Sequence, residues 1–190
     1  HEGVFYIGDY DEISKTWEFE YVVLPEGTEI DRIIDIVFDS FDPNLLYAAT
    51  YGTGLWRSED GGVTWENIPI ADMQPPIRIE DIAGHPDGPD KVYGRAFSLA
   101  TDQPDPELWV SNDRGDNWQP MTYVNLGTDL VLSPPSPGAP FYSLYTGCEA
   151  GLCRSVNNGL TWSVIEGIPR PEVLAAATDG ERSILYIGTP

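Results

Sequence analysis

The side chains with the most chemical potential recur in step along the sequence. Asp35, Asp81, Asp129 and Glu172 each stand just ahead of a short apolar run, and Arg32, Arg78 and Arg170 lie two or three residues upstream of three of them. Carboxylates brought to one place repel unless something neutralises them. A hard cation such as Ca2+ would do so. The arginines would do so as ion pairs. Alternatively, each acid caps backbone N–H groups where a strand begins. No cofactor other than this Ca2+ is implied. His85 is the only internal histidine, and Cys148 and Cys153 are the only cysteines, too few for a zinc cluster. The two cysteines stand five residues apart, which suits a disulfide clipping a hairpin in an oxidising compartment or two free thiols in a reducing one.

The elements that would position these groups come from a repeat. Three segments share Ser-x-Asp/Asn-x-Gly-x-Thr/Asn-Trp: Ser58, Asp60, Gly62 and Trp65; Ser111, Asp113, Gly115 and Trp118; Ser155, Asn157, Gly159 and Trp162. A damaged fourth copy starts at Gly3–Asp9 and ends at Trp17, with about three extra residues and without the Ser and Gly. The physics of the motif is local. The Asp or Asn side chain accepts N–H groups across a turn. The Gly takes a backbone conformation closed to other residues, and the Trp packs beside the sheet. These acids are folding elements rather than catalysts. Upstream of each box lie two short runs rich in β-branched and aromatic residues, such as Asp35–Phe38 and Leu46–Thr50, broken by turn signals. No segment keeps a helical period.

The boxes resemble the Asp-box, or BNR, repeat of sialidases, sortilin-type receptors, xyloglucanases and photosystem assembly factors. The resemblance covers nearly the whole chain. It implies an all-β fold, a β-propeller of four-stranded antiparallel blades with each box between a blade's third and fourth strands. One propeller over 1–190 then has blades near 30–70, 77–122 and 127–168, and a fourth shared by 172–190 and 1–24. Joining Leu185–Pro190 to His1–Ile7 aligns without a gap to Leu46–Ser58. Trp17, Trp65, Trp118 and Trp162 fall 48, 53 and 44 residues apart, and the interval through the joined ends is 45. A four-bladed ring, two chains sharing an eight-bladed ring, and a piece of a longer array all satisfy this spacing. In a propeller the first strand lines the channel, so Asp35, Asp81, Asp129 and Glu172 would ring one mouth.

What such a protein does is narrower by exclusion than by motif. With Lys+Arg 10 against Asp+Glu 31 and a net charge of -21, nucleic acid and anionic membranes are repelled. No apolar stretch is long enough to insert into a membrane as a helix. Sialidase-type chemistry needs three arginines on a carboxylate. Arg32, Arg78 and Arg170 supply the number, but Ile77-Arg78-Ile79 lacks the Pro that follows Arg-Ile in those enzymes. Xyloglucanase-type enzymes place paired acids across a cleft between two propellers, and ten basic residues are few for the basic patch of the assembly factors. The expectation is an extracellular, non-catalytic propeller that binds a protein or a glycan. A glycoside hydrolase-like domain is the alternative, and a structural repeat of a surface or filament protein, self-assembling into a larger ring or array, the second alternative. Tyr10, Tyr51, Phe97 and Tyr123 are expected in or near loops, where aromatic faces stack on sugars or anchor proteins.

Overall fold

The computed structural model describes residues 5–22, 30–39, 41–70, 73, 76–84, 90–99, 108–121, 129–133, 142–178 and 182–189. Among these there is no helix, only strands, turns and connections. In chain order the strands are β1 (Phe5–Asp11), β2 (Thr16–Val22), β3 (Ile33–Phe38), β4 (Leu46–Thr50), β5 (Leu55–Ser58), β6 (Glu66–Ile68), β7 (Ile77–Gly84) and β8 (Val92–Ser98). They continue with β9 (Leu108–Ser111), β10 (Trp118–Pro120), β11 (Val131–Ser133), β12 (Ser143–Cys148), β13 (Gly151–Ser155), β14 (Ser163–Ile165), β15 (Val173–Thr178) and β16 (Ser183–Gly188). Each pairs antiparallel with its chain neighbour, giving four-stranded sheets β3–β6, β7–β10 and β11–β14, and two-stranded hairpins β1–β2 and β15–β16.

Each sheet packs face to face on the next in chain order. Val22 and Ile30 join Leu46, Trp56 and Trp65 between the first hairpin and β3–β6. Tyr47, Leu55 and Ile68 meet Ile77, Ile79, Val92, Trp109 and Trp118 between β3–β6 and β7–β10. Tyr93, Leu108 and Val110 meet Leu130 and Leu144 beyond it. The middle strands β4, β5 and β9 are buried along their whole length. They have sheet neighbours on both edges and stacked sheets on both faces, so both of their faces are apolar.

The corners explain the repeat. Ser58 Oγ accepts the Gly62 N–H at 2.8 Å and donates to Asp60 Oδ1 at 2.9 Å. Asp60 Oδ1 accepts the Thr64 N–H at 2.8 Å. The Trp65 indole N–H donates to the Gly62 carbonyl at 2.8 Å. The same bonds recur at Ser111, Asp113, Gly115 and Trp118 and at Ser155, Asn157, Gly159 and Trp162. Gly62, Gly115 and Gly159 have φ of 93°, 93° and 83°, where a side chain would strain the backbone. A second device ties consecutive sheets. Arg57 donates to Glu66 Oε1 on its own sheet at 2.6 Å, and to Asp116 Oδ1 (2.6 Å) and the Arg114 carbonyl (2.8 Å) in the corner of the next. The Tyr47 hydroxyl donates to the same carbonyl at 3.0 Å. Burial pushes the Tyr47 phenol well above its ordinary value, so it stays a neutral donor.

Two expectations are corrected by the strand registers and the first turn. Asp35 and Asp81 do not precede their strands. They lie inside β3 and β7, immediately past β-bulges between Ile33 and Asp35 and between Ile79 and Asp81. An extra bulged residue lets a strand run on while re-aiming its side chains, so a polar residue in the register did not mark a strand end. The fourth corner is a different turn. Tyr10 stands opposite Trp17, so the extra residues lengthen β1 rather than the turn. Asp11 Oδ1 accepts the N–H groups of Ile13 and Ser14, and Lys15 takes the left-handed conformation at φ 58°. Without the Ser and Gly, Trp17 is left 60% exposed and stacked on Phe19 at 6.0 Å. Among the described residues β1–β2 and β15–β16 each form a two-stranded hairpin.

Candidate functional site

The strands of β3–β6 and β7–β10 put a compact polar group at the end of the sheets opposite the corners. The loop from Thr50 to Gly54 turns β4 into β5 and bridges Thr53 to Ile77 at the start of β7. Ile77 N–H donates to the Gly52 carbonyl and Gly54 N–H to the Ile77 carbonyl, so this loop sutures the two sheets. Asp31 Oδ1 accepts the Thr53 hydroxyl at 3.0 Å, and Thr53 Oγ1 accepts the Trp56 indole N–H at 3.2 Å. Asn67 Nδ2 donates to the Thr53 and Leu55 carbonyls. These bonds hold a hollow of about 520 Å3 open between the sheets, lined by Gly52, Trp56, Asn67, Ile70, Met73 and Ile77 among others. That volume lies within the range of small-ligand sites.

Tyr51 stands on the same loop, with the Arg32 guanidinium 4.5 Å and that of Arg78 5.0 Å from its ring centre. Arg78 also reaches Glu80 at 2.7 Å, and the buried Arg95 bonds the other oxygen of Glu80. The structure therefore gathers two of the three expected arginines on one aromatic ring. Arg170 lies ahead of β15 and is exposed. Arg78 thus pairs with Glu80, the bulge residue of β7. Its signal in the sequence was present but unread: Arg78 and Glu80 alternate on either side of Ile79, as partners on one face of a strand do.

Of the four acids expected to ring one mouth, Asp35, Asp129 and Glu172 have described side chains. Among the described residues no three of His, Cys, Asp and Glu stand together to hold a metal. Asp35 Oδ1 accepts the Ile36 N–H at 2.9 Å, a local cap. Asp129 Oδ2 accepts the Leu174 N–H at 3.1 Å, tying β11–β14 to the last hairpin. Glu172 is exposed; its own N–H donates to the Gly188 carbonyl. The side chain of Asp81 lies outside the described residues, as does Tyr123. Tyr10 and Phe97 are the next-to-last residues of β1 and β8, near the loops that follow. Corner acids are unsuited to proton donation. The Thr64 hydroxyl and N–H hold Asp60 below the usual carboxylate range, and the Asn117 side chain and N–H do the same for Asp113. Cys148 and Cys153 form a disulfide across the β12–β13 hairpin, with Cα atoms 5.9 Å apart.

Radially stacked four-stranded antiparallel sheets, each closed by a Ser-Asp-Gly-Trp corner, are the blades of an Asp-box β-propeller. The model of the family described as Sortilin, neurotensin receptor 3 (Sortilin-Vps10) matches residues 14–126, and the chain belongs to that family. It is also similar to Xyloglucanase Xgh74A of Acetivibrio thermocellus, with 30% identity over 72% of this chain and 18% of that protein. A xyloglucanase of a Paenibacillus species is 28% identical over 72% of this chain and 14% of its own length. The chain spans about a fifth or less of the curated relatives it matches. The crystal structure of the GH74 xyloglucanase from Xanthomonas campestris superposes with a TM-score of 0.53 at 19% identity, over 86% of this chain and 27% of that one. At that identity the superposition speaks to the fold alone.

Proposed function

We propose that the chain is one propeller unit of an extracellular xyloglucanase-type glycoside hydrolase and that its own contribution is to bind the polysaccharide. The observation that carries this reading is the hollow, whose largely apolar walls include Trp56, in a chain whose sequence relatives are xyloglucanases; Tyr51, with Arg32 and Arg78 over its ring, stands next to the lining residue Gly52. Sugars are recognised by apolar or aromatic contact with ring faces and by hydrogen bonds to hydroxyls, and Arg32 and Arg78 supply donors beside the Tyr51 ring. Among the described residues lining the hollow there is no Asp or Glu, and we assign cleavage by an acid pair to carboxylates outside this lining. The disulfide favours an oxidising compartment. A second reading, a protein-binding module without any hydrolytic context, draws on the same absence of lining acids.

Affinity electrophoresis in gels containing xyloglucan, with dextran as control, tests the proposal. Retardation by xyloglucan alone, weakened roughly tenfold by Arg32→Ala, is the expected result; a change of that size is about 1.4 kcal/mol. Migration unaffected by xyloglucan refutes it. A reducing-sugar assay on the isolated chain is expected to show no turnover.

A further inference from the structure

Two kinds of surface meet in the hollow between β3–β6 and β7–β10. Its walls are the side chains of Trp56, Pro69, Ile70, Met73 and Ile77. Ile70 and Ile77 are buried members of the core that joins the two sheets, and Met73 packs against it. The same packing that docks one sheet on the next therefore fixes these walls. Among the described lining residues the polar side chains are Thr53 and Asn67, and their hydrogens are already placed. The Asn67 amide nitrogen donates to the Thr53 carbonyl at 2.7 Å and to the Leu55 carbonyl at 3.2 Å. The Thr53 hydroxyl donates to Asp31 and accepts the Trp56 indole N–H. The Gly54 N–H donates to the Ile77 carbonyl, and the Gly54 carbonyl accepts the Thr50 hydroxyl at 2.7 Å. A sugar hydroxyl pressed between these walls gives up water and meets polar groups engaged elsewhere, which is unfavourable. A group that carries no O–H and presents carbon enters favourably.

We infer that the hollow receives an acyl ester carried on a sugar of the bound polysaccharide. The acyl carbons lie among Ile70, Met73 and Ile77, and the sugar that bears them rests at the mouth beside Gly52. Esterification answers both properties of the hollow. It removes a hydroxyl hydrogen that would need an acceptor, and it adds carbon to an apolar space of about 520 Å3. A deoxy sugar also lacks the hydroxyl, but its methyl group adds no carbon beyond the ring substituent and leaves more of that space to water. Acyl recognition rests on the reading that this chain binds polysaccharide, and adds which chemical form of the polysaccharide it selects. Such selection is a difference between two affinities. Each buried carbon changes Kd by about fourfold. One acetyl methyl therefore gives about fourfold, and a butyryl chain, longer by two methylenes, roughly sixtyfold.

The test is affinity electrophoresis in gels of xyloglucan, of the same polymer partly O-acetylated, and of the same polymer O-butyrylated to an equal extent. Retardation is expected to strengthen in that order, by about fourfold from the first to the second and further for the third. Met73→Gln keeps the side-chain length and adds an amide. It is expected to bind plain xyloglucan as the native chain does and to cut the preference for acylated polymer to about twofold or less. Pro69→Ser, at an exposed position of the wall, is expected to reduce the same preference, and it decides the matter if Met73→Gln loses its strand signal in far-UV circular dichroism. Equal retardation by plain and acylated polymer overturns acyl recognition and leaves polysaccharide binding standing. A preference that neither variant reduces overturns the assignment to the hollow. Unretarded migration in all three gels overturns polysaccharide binding and the acyl site with it.

Discussion

The tie between the second and third sheets lends itself to a double-mutant cycle, because two side chains of one sheet donate to a single acceptor of the next. The Arg114 carbonyl accepts from Arg57 Nη1 at 2.8 Å and from the Tyr47 hydroxyl at 3.0 Å. Tyr47→Phe removes one neutral hydrogen bond and leaves the carbonyl served by Arg57, so about 1 kcal/mol is expected. Arg57→Met removes the charged bonds to Glu66 and Asp116 as well. Arg57 itself is nearly buried, with a side-chain exposure of 10%, but both acids are more than half exposed and regain water when it is gone. The loss is therefore below that of a fully buried pair, about 2 kcal/mol. The double variant strips the half-buried carbonyl of both donors, which adds a desolvation penalty neither single variant incurs. Its cost should exceed the sum of the singles by about 1 kcal/mol. Equilibrium urea unfolding followed by tryptophan fluorescence reads all four corners of the cycle, since Trp118 packs in this interface. Additivity within about 0.3 kcal/mol, or a double variant less affected than the sum, refutes the shared-acceptor argument.

Two further outcomes follow from the corners and the hairpin. Asn157 makes the same turn with a neutral amide, its Oδ1 accepting the Thr161 N–H and its Nδ2 donating to the Thr161 hydroxyl. Asp60→Asn is therefore expected to keep the fold at neutral pH with a loss under about 1 kcal/mol, and Asp60→Ala to lose more, about 2 kcal/mol. The acid in the folded state lies below its ordinary value, so its contribution is complete above about pH 4 and is lost as pH falls through the folded value. The gap in urea midpoint between the native chain and Asp60→Asn should narrow as pH falls below about 4, and a gap that stays constant on acidification contradicts the assignment. Reduction of Cys148–Cys153, which closes a loop of sequence separation 5, should lower stability by about 2 kcal/mol on the chain-entropy argument, measured as the shift in urea midpoint with and without reductant.

The corner residues declared themselves without a structure because their bonds close within seven residues. Ser58, Asp60, Gly62 and Trp65 satisfy one another, so type and spacing suffice, and three copies fix the blade period. The disulfide was legible for the same reason, as a short-range clip with no other cysteine to choose. Long-range facts were not encoded so locally. Whether Asp35 and Asp81 lie before or within a strand depends on a bulge, which is a mismatch between two strands and has no one-strand signature. That Arg32 and Arg78 converge on Tyr51, while Arg170 does not, depends on how one sheet docks on the next.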